Sequence, residues 1–369
     1  MVEQTPSTAP ATSEQMTRRS SFRFDRIMVV LMAWLLVGAY LDTWAHNHLS
    51  NLETFFTPWH AVLYTGYFAL ATCLGVTLLY NHRRGYPWSR SLPDGYLVSL
   101  LGVGIFMLGG VGDVIWHTVF GVERRFEVSL SFPHLTLKFA AILIGCGPLS
   151  AAWRRTAPEA TRGWSALWPM VMTAAFVLSG LTYFTLHTNP FVYPWAMAGF
   201  RAGVAAGTEI GYLAADHTQV PNEVGQILGV LAIITHTGML MGLTLLLVRR
   251  WVLPFGSLAL IFTLNATLMA SILGPTQYGL APIMALSGLA ADGLLGWLRP
   301  SAARVRALRV FAFAVPAILY TLYFVALLLT TGVEWPLPVW TGGIVLAGLV
   351  GLGLSYLLAP PSPAPPVLP

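Results

Sequence analysis

Residues 27–60 read IMVVLMAWLLVGAYLDTWAHNHLSNLETFFTPWH. Ile27 to Leu41 carry no charge, which is how a bilayer-spanning helix of about 20 residues begins. Asp42 and His46 enter at its far end, Glu53 lies in a short loop, and His60 follows two residues after Pro58 starts the next apolar run. Residues 109–134, GGVGDVIWHTVFGVERRFEVSLSFPH, repeat the order: Asp113, His117, Glu127, His134. A glycine stands four residues before each Asp, Gly38 and Gly109. Ionisable groups at membrane depth are costly and mark function by default.

The rest of the chain supports a membrane reading. Of 369 residues, 56% are hydrophobic and only 9% charged, against about 25% charged in soluble domains. Mean hydropathy is +0.67. The basic pI, near 9.4, comes from Arg residues in short clusters between apolar runs, so no nucleic-acid-binding face is expected. Cys73 and Cys146 lie inside apolar runs with no CxxC spacing, which speaks against thiolate zinc and thioredoxin chemistry.

Ten spans are expected: 27–48, 58–80, 94–120, 133–152, 164–187, 223–248, 252–273, 278–298, 308–331 and 338–358. Arg83, Arg84 and Arg90 follow the second, Arg154, Arg155 and Arg162 the fourth, Arg249 and Arg250 the sixth, and Arg299, Arg304, Arg306 and Arg309 the eighth. With Arg18, Arg19, Arg23 and Arg26 they make 16 of the 20 basic residues on one side. The positive-inside rule makes that side, and both termini, cytoplasmic. The expected organisation is a disordered tail at 1–26, a helical membrane domain at 27–358, and a Pro-rich disordered tail at 359–369. Within the domain, 27–152 form two duplicated hairpins and 188–222 an outer loop, a lid or an interfacial helix. The remaining helices read as scaffold, with Asn265 and Asp292 as polar insertions.

Asp42 and His46, and Asp113 and His117, are four apart, so each pair shares one helix face. Thr57-Pro58-Trp59-His60 and Ser131-Phe132-Pro133-His134 are helix starts with a capping hydroxyl and an early Pro. The electropositive helix start keeps an imidazole neutral, the form that binds metal. The expected ligands are Asp42, His46, Glu53, His60, Asp113, His117, Glu127 and His134, with His187, His236 and Lys138 as possible additions. A hairpin alone leaves an ion half enclosed, so one shared site across a pseudo-twofold axis is expected, with one ion per hairpin as the alternative. Structural ion pairs capping the bundle would give the same residues, and Lys138 beside an Asp would favour them.

His and carboxylate together suit copper, iron or zinc. In site chemistry, the D-x3-H followed by His at the next helix start resembles the copper site in the smaller membrane subunit of particulate methane and ammonia monooxygenases. The resemblance is three residues wide in each copy, and it implies an outer-leaflet oxidative copper site. The duplication, the intervening Glu and the ten-helix length depart from that subunit. The expected function is a multi-pass cell-membrane metalloenzyme, oxidative or hydrolytic, with an extracytoplasmic site, surrounded by lipid and acting on a lipid or small apolar substrate. The alternatives are a metal-ion or proton transporter, and a haem-binding electron carrier using paired His, which leaves both Asp without a role.

Overall fold

The computed structural model describes residues 21–49, 57–121, 130–155, 163–200, 222–273 and 279–360. It is all-helical, with no strands among the described residues. The helices are α1 (Phe22–His48), α2 (Pro58–Arg83), α3 (Leu97–Phe120), α4 (Phe132–Gly145), α5 (Gly147–Arg154), α6 (Trp164–Phe184), α7 (Asn222–Arg250), α8 (Ser257–Leu273), α9 (Ala281–Leu298), α10 (Val305–Leu329) and α11 (Leu337–Leu358). Among the described residues nine helical segments are long and apolar enough to cross a membrane, α4 and α5 counting as one. They fit a multi-pass membrane protein.

Three expected boundaries move, each for a local reason. Helix α1 starts at Phe22, where the Ser21 hydroxyl accepts from Phe24 N–H at 3.2 Å, so residues 22–26 are helical. The fourth span breaks at Cys146 and resumes with Pro148 near the start of α5. Pro lacks the N–H that a continuous helix needs. Helix α8 starts at Ser257, because Pro254 and Gly256 (φ +90°) form a turn before it. It is a shorter apolar helix, about 25 Å long at 1.5 Å per residue, and it is the one expected span that falls short.

Packing divides the helices into two apolar clusters. Helices α1 to α5 share one, built on residues such as Leu35, Leu70, Phe106 and Ile144, with Phe176 of α6 added. Helices α6 to α11 dominate the other. Within the first cluster the helices meet through glycine. A Cβ on Gly38 would lie 2.6 Å from Leu63 Cα, and one on Gly66 would lie 2.9 Å from Leu35 N. Gly102 meets the Ile144 backbone at 2.7 Å, and Gly109 meets the Leu137 side chain at 3.1 Å. In both pairs the later residue of the first helix meets the earlier residue of the second (Gly38 with Leu63 and Leu35 with Gly66; Gly109 with Leu137 and Gly102 with Ile144), so α1/α2 and α3/α4 run antiparallel. Small residues at such crossings let membrane helices approach closely.

The polar insertions of the second half have structural partners. Asp292 on α9 accepts from Leu258 N–H at 3.2 Å and Ala259 N–H at 3.0 Å, which satisfies the open first turn of α8. Asn265 donates to Thr182 Oγ1 at 2.6 Å. Residues 189–200, the first part of the expected outer loop, are largely buried, and Trp335 Nε1 donates to Trp195 O at 3.0 Å.

Candidate metal centre

The C-terminal ends of α1 and α3 and the N-terminal ends of α2 and α4 carry the repeated residues. These ends lie opposite Arg83 and Arg154, which close α2 and α5. The structure gathers them by hairpin into two groups, Asp42–His46–His60 and Asp113–His117–His134. Within each group, one ligand atom per residue lies within 4.8 Å of the others, a spacing that can hold a metal ion.

In the first group, Asp42 Oδ2 is 3.4 Å from His60 Nε2 and 3.8 Å from His46 Nε2. The imidazole rings of His46 and His60 are 5.6 Å apart, centre to centre. In the second, Asp113 Oδ1 is 3.4 Å from His117 Nε2 and 3.6 Å from His134 Nε2, and the two rings are 5.8 Å apart. The carboxylate thus sits between two imidazoles in both groups. Side-chain exposure runs from 2% for Asp113 to 17% for His134, so none of the six faces open lipid.

Local structure explains why the rings point inward. Thr57 caps α2 by accepting from His60 N–H at 3.1 Å, which fixes His60 in the first turn. Ser131 occupies the same place before His134, but its hydroxyl meets the ring, at 2.6 Å from Nδ1. His117 Nδ1 lies 3.3 Å from the Gly121 carbonyl. A carbonyl only accepts, so that bond places a proton on Nδ1 and turns Nε2 toward Asp113. A backbone carbonyl holding the far nitrogen is how metal-ligating histidines are oriented. The far nitrogen of His187 meets Tyr193 Oη at 3.0 Å instead.

Hydrogen bonding leaves an imbalance. Asp42 Oδ1, His46 Nε2 and Asp113 Oδ1 are buried, and none has a hydrogen-bond partner of good geometry among the described residues. Asp113 Oδ1 is close to two imidazoles, His117 at 3.4 Å and His134 at 3.6 Å. Buried polar atoms in this state cost free energy and call for a cause, one of which is a bound ion. The donor set, two imidazoles and a carboxylate, suits a first-row metal.

The groups are neighbours. His46 interacts electrostatically with Asp113 and His117, and Asp113 with His60. Tyr64, four residues after His60, interacts with both Asp42 and Asp113, and its hydroxyl is buried. Gly110 makes room for it: a Cβ there would lie 3.2 Å from Tyr64 Oη. Sequence reading missed Tyr64, although Lys138 at the matching place after His134 pointed to it. One cavity reaches both groups. Asp42, His60, Asp113 and His134 form its polar end, with Thr43, Lys138 and Tyr183 beside them, and its other walls are apolar.

The supplementary candidates divide. Lys138 lines the cavity, its Nζ 4.9 Å from the centre of the Tyr183 ring. His187 interacts electrostatically with Lys138 but joins neither group. Burial chiefly, and the Lys138 charge next, lower its pKa to about 4. His236 is 1% exposed in the core of the second half, bonded through Nδ1 to Tyr320 Oη at 3.0 Å, away from both groups. His48 is exposed, with Nδ1 at 2.8 Å from Trp44 O. Glu53, Glu127 and His217 lie outside the described residues.

No family model, no curated protein and no solved structure matches this chain.

Proposed function

We propose that this chain is a membrane metalloenzyme whose centre is built from Asp42, His46 and His60 on one hairpin and Asp113, His117 and His134 on a duplicate of it. Glu53 and Glu127 are candidate further ligands from the connecting loops. The observation that carries the reading is the meeting of both Asp–His–His groups at the polar end of one otherwise apolar cavity. A cavity with apolar walls and a few convergent polar groups is the usual form of a small-molecule site.

The matched packing supports duplication. The glycine four before each Asp packs on the leucine three after each His, Gly38 on Leu63 and Gly109 on Leu137. A bound copper, iron or zinc ion supplies Lewis-acid or redox chemistry. The protein's own residues do the rest: the carboxylates and imidazoles hold the ion, Gly121 and Ser131 orient rings, and the apolar walls exclude water from the reacting end. The site faces the extracytoplasmic side, because the Arg clusters mark the opposite helix ends as cytoplasmic.

Elemental analysis of purified protein tests this, with wild type beside Asp42→Ala and Asp113→Ala. Metal bound by wild type and reduced in each variant is expected. Metal that is low and equal in all three defeats the proposal. Transport is the second reading, since internal repeats are common in transporters. The apolar walls below the polar end offer an ion no path, so no ion flux is expected in liposomes. Absorption spectra without a Soret band are expected too, because a carboxylate set between paired imidazoles suits a bare ion better than a porphyrin.

A further inference from the structure

We infer that each hairpin holds its own first-row metal ion, and that the two ions weaken each other across one shared cavity. The inference rests on the enzyme reading above and deepens it, since it divides one centre into two coupled sites.

Three observations carry it. The first is that each group closes on itself. An ion bound tetrahedrally by nitrogen and oxygen at about 2.0–2.2 Å sets its ligands about 3.3–3.6 Å apart. Asp42 Oδ2 stands 3.4 Å from His60 Nε2 and 3.8 Å from His46 Nε2. Asp113 Oδ1 stands 3.4 Å from His117 Nε2 and 3.6 Å from His134 Nε2. The three ligand atoms of each group lie within 4.8 Å of one another. Each hairpin therefore presents a nearly formed cradle of three ligands, and no ligand has to cross from the other hairpin. Three protein ligands leave a fourth position for water or substrate, the pattern of a catalytic metal site.

The second observation is that the groups share a space. Asp42 and His60 of one group and Asp113 and His134 of the other line the same cavity. Electrostatic interactions cross between them, from His46 to Asp113 and His117 and from Asp113 to His60. Tyr64 interacts with both carboxylates. A molecule in the cavity therefore meets both groups.

The third observation is the charge count. Among the described residues lining the cavity, the carboxylates are Asp42 and Asp113. Together they balance one dication. Lys138 brings an ammonium to the same lining, over the face of Tyr183. The first ion thus neutralises the two carboxylates, and the second enters a region that is already positive. Like charges repel more strongly where water is scarce, and the cavity walls beyond the polar end are apolar. The coupling is reciprocal, so each ion opposes the other by the same factor.

The test uses full-length protein in detergent micelles, first stripped of metal with a chelator. Cobalt(II) is the probe, because its visible absorption reports each ion as it is bound. Wild type should take up two ions per chain in two steps. His46→Ala and His117→Ala should each take up one, in the group left whole. The product of the two wild-type binding constants should fall about 5- to 150-fold below the product of the two single-variant constants, the usual span of coupling between sites. A second measurement needs no variant. Wild type loaded with copper(II) should show the dipolar splitting of two neighbouring ions by electron spin resonance, and only once the second equivalent is bound. A single ion per chain, lost in either variant and free of dipolar splitting, overturns the inference and leaves the enzyme reading standing with a shared ion. Two ions whose products are equal, or whose spins do not couple, overturn it as well. No cobalt uptake by wild type defeats the enzyme reading itself.

Discussion

Adding one methyl group at Gly38 should dismantle the first Asp–His–His group, while the same change at Gly109 should spare the second. The two glycines hold matching places, yet they meet different atoms. A Cβ on Gly38 would lie 2.6 Å from Leu63 Cα and 2.8 Å from Leu63 N, both backbone. Ordinary contact starts at 3.4 Å. Backbone cannot rotate aside, so α1 and α2 must part by 3.4 − 2.6 = 0.8 Å. Functional constellations tolerate about 0.5 Å, and overpacking of this kind costs about 1–3 kcal/mol. A Cβ on Gly109 meets the Leu137 Cδ2 methyl at 3.1 Å, a shortfall of 3.4 − 3.1 = 0.3 Å that a side chain absorbs by a small rotation. The assay is metal stoichiometry and thermal unfolding of Gly38→Ala and Gly109→Ala in one detergent. Gly38→Ala should lose metal and melt earlier. Gly109→Ala should keep the wild-type metal content and midpoint. Equal behaviour of the two variants would refute the packing argument.

Three further outcomes are expected. Ser131→Ala should weaken metal binding at the second group by about 10- to 100-fold, the usual effect of losing the hydrogen bond that orients a ligating His, read by competition with a metal chelator; unchanged affinity removes Ser131 from the site. Asp292→Ala leaves two N–H groups at the start of α8 without their carboxylate and should cost about 1–3 kcal/mol per donor, seen as a lower midpoint of thermal unfolding with metal content intact. His187 is held neutral, with a pKa of about 4 against 6.5 for the free side chain. The unfolded chain therefore binds its proton first on acidification, and the stability linked to His187 is complete above about pH 6.5 and declines toward pH 4. Melting temperatures from pH 7 to 4 should fall more steeply in wild type than in His187→Gln, and parallel curves would count against it.

Much of the first four helices was legible in the sequence, because membrane spans and i,i+4 pairs depend on local spacing. Asp42 and His46 share a face by helix geometry alone, and Pro58 and Pro133 marked the helix starts that carry His60 and His134. What stayed hidden depends on distance in space. Nothing at Asp292 tells of the helix start it satisfies more than thirty residues upstream. Tyr64 stands between the groups because Gly110, on another helix, leaves it room. His187 and His236 were both possible additions to the site, yet one lies near Lys138 and the other is bonded to Tyr320 in the second half. The span at 252–273 was read as starting early because hydropathy does not register a turn at Pro254 and Gly256.

Asp25 is fully buried near the start of α1, where it meets Arg155 and accepts from Tyr96 Oη at 2.7 Å. That clamp fastens the first hairpin to the second at the end remote from the histidines. Asp42 lies seventeen residues along α1, about 25 Å away, so a two-degree tilt of α1 about Asp25 would carry its carboxylate by about 0.9 Å. Any loosening of the contact at the basic end of the bundle would thus be felt as a shift of the Asp42 carboxylate at the other.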